Sequence, residues 1–281
     1  MVMVGVKGSP RWESVLDWAA EAAWSRQLPL RIVHVLPTSE AMAAGHPGRL
    51  AGTDLLATAA GRAGRLLPAG RIETRLAAGP APAALVEAGW GGELTVVGSR
   101  VTAGLRDDPV ISTSMQVAAY ASAPVVVVRG PRRSLPVESR VVAGVDPDVV
   151  GEEVLALAFA EARRRGAELV VVHAGDGGRR DRTEALVAAA GEEHPDVIRV
   201  PAPASAGTGL EALLDASRSA ELVVAGLHRG PGARALRTAQ VCRVLLARAS
   251  CPVAVAQAPA PVAMAMAVPA ALTVPGGAGS R

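Results

Sequence analysis

The 281-residue sequence predicts an α/β protein made of two tandem doubly wound domains, each with a five-stranded parallel sheet in a Rossmann-like arrangement. Three observations predict it. Short Val-rich runs alternate with longer helical stretches, the whole pattern occurs twice, and a charged segment bearing two prolines separates the two occurrences.

The repeat is read from the residues. VGVKGSPRWESVLDWAAEAAWSRQLPLRIVHV from Val4 matches AGVDPDVVGEEVLALAFAEARRRGAELVVVHA from Ala143 at an offset of 139, with Gly144 on Gly5 and His173 on His34. GPAPAALVEAGWGGELTVVG from Gly79 matches GTGLEALLDASRSAELVVAG from Gly207 at an offset of 128, which also places ASAPVVVV from Ala121 on ASCPVAVA from Ala249. The second copy is therefore 11 residues shorter (139 minus 128), the loss falling in loop and helix between its second and fourth strands.

In the first copy, strands are predicted near 2–6, 30–35, 71–76, 93–98 and 124–129. Their valines do not alternate strictly with polar residues, as befits strands buried on both faces. Helices are predicted near 12–26, 50–67, 80–89 and 109–121. Gly8-Ser9-Pro10 forms a turn that opens the first, and Asp108 followed by Pro109 reads as the cap and first-turn pair of the last. Trp12, Trp18 and Trp24 lie six apart, hence on different helical faces, and Trp18 is the one expected in the core. The domains run over 1–129 and 139–257, with a linker at 130–138. Residues 258–281, alanine-rich and broken by Pro259, Pro261, Pro269 and Pro275, are expected to be a disordered tail rather than a spanning helix.

Composition narrows the function. A net charge of +3, from 29 basic and 26 acidic residues, argues against nucleic acid, and one Phe, one Tyr and four Trp offer few platforms for stacked bases. MVMVGVKGSP turns polar too soon for a signal peptide, and no membrane association is expected. Cys242 and Cys251 form no disulfide framework and no zinc spacing, which suits a reducing cytoplasm. No metal site and no catalytic residue is predicted. His34 and His173 stand at equivalent strand ends without a second ligand at metal spacing, so both are read as structural.

GVKGS, LDWAAEAA, LRIVHV, ELTVVGSR and ASAPVVVVR, followed in the second copy by GVD, LVVVHA, ELVVAG and ASCPVAVA, resemble the universal stress protein family across about residues 1–129 and 139–257. The resemblance implies pairing through the last strand and, in many members, ATP at the C-terminal ends of the strands. Binding members use an Asp after the first strand, backbone at the end of the second, and a loop of pattern G-x2-G-x9-G-[ST]. The Asp accepts from the adenine amine, while glycine backbone and a helix N-terminus meet phosphate.

Carried onto the first copy, the pattern is a remnant. Gly8, Ser9, Val35, Gly98 and Ser112 match, but Lys7 holds the Asp position and Val101 and Ile111 hold two glycine positions. A protonated lysine has no acceptor, and a valine forced into a left-handed backbone costs about 1–2 kcal/mol. Asp107 and Asp108 add negative charge, and Asp108 as helix cap would set a carboxylate where a phosphate belongs. The alternative reading makes Gly8, Ser9, Ser112, Thr113 and Ser114 ordinary turn and early-helix residues.

In the second copy the candidate residues are Asp146, Ala174, Gly226, Arg229, Gly230 and Gly232. Pro147 and Asp148 replace a glycine and a serine, and Ala239 and Gln240 hold the last two loop positions. His228, Arg229, Arg234 and Arg237 make the loop basic, either as an anion site or as a solvated surface. Three functions are thus in play: a tandem cytoplasmic stress-response factor with ATP bound weakly if at all; a ligand-free association module; and an ATP-using enzyme. The last lacks a P-loop, an acid cluster for magnesium and a nucleophile beside a base, so no enzyme is expected. In the association reading, apolar strands 125–128 and 253–256 pair the two halves and extend to a homodimer.

Overall fold

The computed structural model describes residues 1–8, 11–42, 46–99, 112–129, 138–173, 180–202, 207–258 and 272–273. Two units emerge, Met1–Pro131 with Pro261–Arg281, and Arg132–Ala260. The first begins with β1 (Val2–Val6), α1 (Trp12–Ser25), β2 (Leu30–Leu36), α2 (Thr38–Met42), α3 (Pro47–Ala63) and β3 (Ile72–Ala78). It continues with α4 (Ala81–Ala88), β4 (Leu94–Gly98), α5 (Thr113–Tyr120) and β5 (Val125–Val128). The five strands are parallel in the order β3-β2-β1-β4-β5. The second unit holds β6 (Arg140–Val145), α6 (Gly151–Arg165), β7 (Glu168–His173), α7 (Arg180–Glu193) and β8 (Arg199–Pro201). After these come α8 (Gly209–Ala216), β9 (Leu222–Leu227), α9 (Ala233–Arg248) and β10 (Val253–Gln257). Its order, β8-β7-β6-β9-β10, repeats the first, again all parallel. The predicted fold class is thus the observed one.

Strand register tests the sequence repeat residue by residue. Val2 lies opposite Leu30 and Leu94, and Val141 opposite Leu169 and Leu222, which are the offsets of 139 and 128 read from the sequence. Thr95 opposite Val125 likewise becomes Val223 opposite Val253. At the third strand, Leu30 faces Ile72 whereas Leu169 faces Arg199, so the offset there is 127 (199 minus 72). The deletion therefore lies wholly in the crossover between second and third strands, where α7 alone stands in place of α2 and α3, and one residue returns before the fourth strand.

Packing follows the same repeat. A Cβ on Gly5 would lie 2.8 Å from Leu85, and one on Gly144 would lie 2.6 Å from Leu213. The first strand of each half is bare at the point where the fourth-strand crossover helix, α4 or α8, seats its leucine. Trp18 is buried within α1 as expected, while Trp24 is exposed. An ion pair also recurs: Arg26 to Glu93 at 3.7 Å and Arg165 to Glu221 at 3.6 Å, each joining the end of the first helix to the approach of the fourth strand. In the second half Arg165 also reaches Glu161, buried on α6, at 3.1 Å.

Some boundaries differ from expectation. The helix expected near 50–67 is α3, which starts and ends a few residues earlier, with His46 capping it by accepting the Gly48 N–H at 3.1 Å, and α2 is an additional short helix before it. The last helix of the first half starts at Thr113, with Ser112 as its cap, rather than at Asp108–Pro109. The linker lies outside the described residues but for Glu138. Of the tail, Ala258 and β11 (Leu272–Thr273) are described, and β11 adds an antiparallel strand beside β3.

α1 and α6 stop in one way. Leu28 N–H bonds the Ala23 carbonyl at 2.9 Å and Ala167 N–H the Ala162 carbonyl at 2.9 Å, each across a left-handed residue. That residue is Gln27 (φ 56°) in the first half and Gly166 (φ 59°) in the second. Glycine adopts this conformation without the steric cost a Cβ imposes. Gln27→Gly is accordingly expected to raise unfolding stability by about 1 kcal/mol, and Gly166→Gln to lower it similarly, as read from urea midpoints.

Candidate functional site

In an open sheet of order 3-2-1-4-5, crossovers leave in opposite directions from the first and fourth strands, opening a crevice at their C-terminal ends. In the first half that point lies between the end of β1 and the end of β4, where Lys7 and Gly98 stand. In the second it lies between β6 and β9, where Asp146 and Gly226 stand.

In the first half, Lys7 is exposed after β1, and nothing within 4 Å would obstruct a Cβ on Gly8. Val35 is half-buried in β2, beside Ala77. Gly98 ends β4, where an added Cβ would lie 3.1 Å from Val15 of α1. The next residue, Ser99, donates its N–H to the Val128 carbonyl at 3.0 Å. Ser112 Oγ accepts the Met115 N–H at 3.2 Å and shares a hydrogen bond with Ser114 Oγ at 3.1 Å, so this hydroxyl serves α5 itself. His34 Nδ1 donates to the Val6 carbonyl at 2.9 Å, tying the ends of β1 and β2 together. Burial, and after it the charge of Arg11, lowers the pKa of Arg129 from the ordinary guanidinium value. Ser9, Val101, Asp107, Asp108, Pro109 and Ile111 lie outside the described residues. The proposed carboxylate cap is corrected nonetheless: the cap of α5 is the Ser112 hydroxyl.

The second half is built differently after the same strands. Asp146 folds its turn back on itself, with Oδ1 accepting the Asp148 N–H at 3.1 Å and its carbonyl accepting the Val149 N–H at 3.0 Å. The other carboxylate oxygen lies 3.9 Å from Arg237 of α9. Asp148 accepts from Arg182 of α7 at 2.7 Å. Val150 then takes the left-handed conformation (φ 59°), unusual for a β-branched residue, and Gly151 passes so close that a Cβ would meet the Asp146 carbonyl at 2.9 Å. Sequence reasoning named Asp146 but missed Arg182 and Val150; the one signal was Pro147, which marks a tight turn.

The loop after β9 is shorter than the motif spacing suggests. α9 begins at Ala233, with Gly232 (φ 103°) as cap, so Ala239 and Gln240 lie well inside a helix rather than at its start. Their N–H groups belong to the helical ladder, and only the first four N–H groups of a helix are free. Thr238 Oγ1 accepts the His228 N–H at 3.1 Å and donates back to the Arg234 carbonyl at 3.1 Å, clamping the loop on the helix. Arg229 is half-buried, with its pKa lowered by burial, and Gly230 holds φ 145°. Gly226 again makes room for α6: a Cβ would lie 3.0 Å from Val154 and 3.2 Å from Val150. Its carbonyl accepts the Cys242 thiol at 3.5 Å, and burial pushes that thiol's pKa up to about 12. His173 Nδ1 and Thr183 Oγ1 lie 2.7 Å apart, and Ala174 lies outside the described residues. Among the described residues no group of three or more His, Cys, Asp or Glu could hold a metal, and no helix is long and apolar enough to cross a membrane.

Residues 1–129 match the model of the universal stress protein family. A universal stress protein of Mycobacterium tuberculosis strain H37Rv is 30% identical over 188 residues, covering 62% of this chain and 63% of that protein. One of Mycolicibacterium smegmatis is 30% identical over 190 residues, covering 61% and 63%. The chain thus spans less than two thirds of the length of these relatives. Among solved structures, a universal stress protein from Archaeoglobus fulgidus aligns with a TM-score of 0.72 at 18% identity, covering 91% of this chain and 96% of that one, a likeness of fold.

The packing role of Gly226 generates a prediction. Val154 is held by a helix that allows it one main rotamer, so Gly226→Ala is expected to cost about 1–3 kcal/mol. A urea midpoint that falls at constant slope, with coupling of at least about 0.5 kcal/mol to Val154→Ala in a double-mutant cycle, checks it.

Proposed function

On the premise that residues 1–129 match the universal stress protein family, we propose that the chain is a regulatory or protective stress-response factor that works by association and does not turn over nucleotide. The observation that carries this reading is the start of α9 at Ala233. Triphosphate recognition at this crevice needs backbone N–H groups left free by a glycine loop and a helix start. In the second half the last two motif positions fall inside the helix instead.

Other features support the same reading. Lys7 offers the adenine amine no acceptor, and Asp146 is engaged by its own turn and by Arg237. Gly98 and Gly226 have a packing reason to be glycine, and Ser112 a capping reason to be serine. A cytoplasmic location belongs to the proposal and is supported by a sequence with two cysteines, Cys242 and Cys251, both buried, and no disulfide framework of the kind secreted domains carry. A second reading, ATP held by the second half alone, draws on the basic residues His228, Arg229 and Arg234.

Titration with magnesium and ATP separates these. No saturable heat and no thermal stabilisation are expected up to about 1 mM ATP, where a site with Kd of about 10 μM would add about 2.7 kcal/mol. Stabilisation of that size overturns the proposal; its loss in Asp146→Ala would then assign the nucleotide to the second half.

A further inference from the structure

Without β11, β3 would end its sheet on that side, because the order runs β11-β3-β2-β1-β4-β5 through the first unit. An edge strand carries a row of backbone N–H and C=O groups able to pair with another chain, and proteins guard such edges with charge or cover. The first half of β3 is guarded by charge. Glu73, exposed, pairs with Arg31 at 3.0 Å, and Arg75 pairs with Glu87 at 2.8 Å. The second half, Leu76-Ala77-Ala78, has none. Ala77 and Ala78 are each 1% exposed, and Ala78 clusters with Leu36 and Leu76.

It is on this uncharged half that β11 lies, antiparallel, with Leu272 opposite Ala78 and Thr273 opposite Ala77. The C-terminal sequence is suited to it. Leu272-Thr273-Val274 brings strand-forming residues into an alanine-rich stretch, and Pro269 and Pro275 bracket them. Proline lacks the N–H a ladder needs, so it limits pairing at either end. An antiparallel edge strand on an otherwise parallel sheet is a common arrangement.

We propose that Leu272–Thr273 is an edge-capping strand, which occupies the strand-addition surface of Leu76–Ala78 and keeps a second copy of the chain from pairing there. The surface is thus a β-augmentation site whose resident is the chain's own C-terminal segment. This rests on the strand pairing and not on the nucleotide reading.

The test compares the unaltered chain with two variants, one lacking residues 259–281 and one full-length carrying Leu272→Pro and Thr273→Pro. Both changes lie outside the repeated domains. Amide exchange in peptides covering Leu76–Gly79 is expected to quicken at least about tenfold in both variants, with Val2–Val6 unchanged. Sedimentation is expected to show concentration-dependent self-association beyond that of the unaltered chain. The proposal is overturned if exchange at Leu76–Gly79 stays the same, if it rises equally at Val2–Val6, which would report general loss of stability, or if the sedimentation profile does not change.

Discussion

Helix α1 seats a valine side chain on the end of β4 where the strand has no side chain of its own, and α6 does the same on β9. Val15 stands 3.1 Å from where a Cβ of Gly98 would be, and Val154 stands 3.0 Å from that of Gly226. Much else depends on this close approach. It sets how near the first helix comes to the crevice between first and fourth strands, and it determines which backbone reaches that crevice. Protein interiors are packed too tightly for even one methyl group to be added freely at such a point. The same holds on the first strand, where Gly5 and Gly144 admit Leu85 and Leu213. Four glycines therefore shape the two halves through contacts that would exist with or without a ligand.

That constraint changes how the motif is understood. A glycine after the fourth strand suggests a phosphate loop when met in sequence, because glycine lets backbone approach an anion. Here it first lets a helix approach a strand. The chemistry around it has diverged between the halves while the backbone beneath has not. Where the first half ends β1 with an exposed lysine, the second ends β6 with an aspartate closed into a turn and facing Arg237. Where the first caps a short helix with Ser112, the second starts α9 at Ala233 and carries it through the corresponding positions. In the second half the group at the end of the first strand is engaged by its own turn and by the helix after the fourth strand, whereas in the first half Lys7 stands exposed.

The edge of the first sheet shows a comparable division. Charge guards the part of β3 that carries Glu73 and Arg75, and the chain's own C-terminal segment lies beside the part that has no charge. Edge protection is thus shared between local side chains and a segment distant in sequence. Leu272 and Thr273 are strand-forming residues in an alanine-rich segment, but their pairing with β3 is a contact that the segment's own sequence does not specify.

The sequence by itself determined the alternation of strands and helices, the two copies and their offsets of 139 and 128, and the burial of Trp18. Each of these is encoded by periodicity or by residues near in sequence, so local reading recovers it. Helix starts were less legible: Asp108–Pro109 carried good capping chemistry, yet Ser112 caps α5, and a spacing motif hid the early start of α9 at Ala233. Only the tertiary structure decided that Arg237 faces Asp146, that Arg182 reaches Asp148, and that Gly98 and Gly226 are seats for valines. Whether a polar group is free for a ligand depends on every neighbour that could satisfy it, and those neighbours are brought together by packing rather than by their order along the chain.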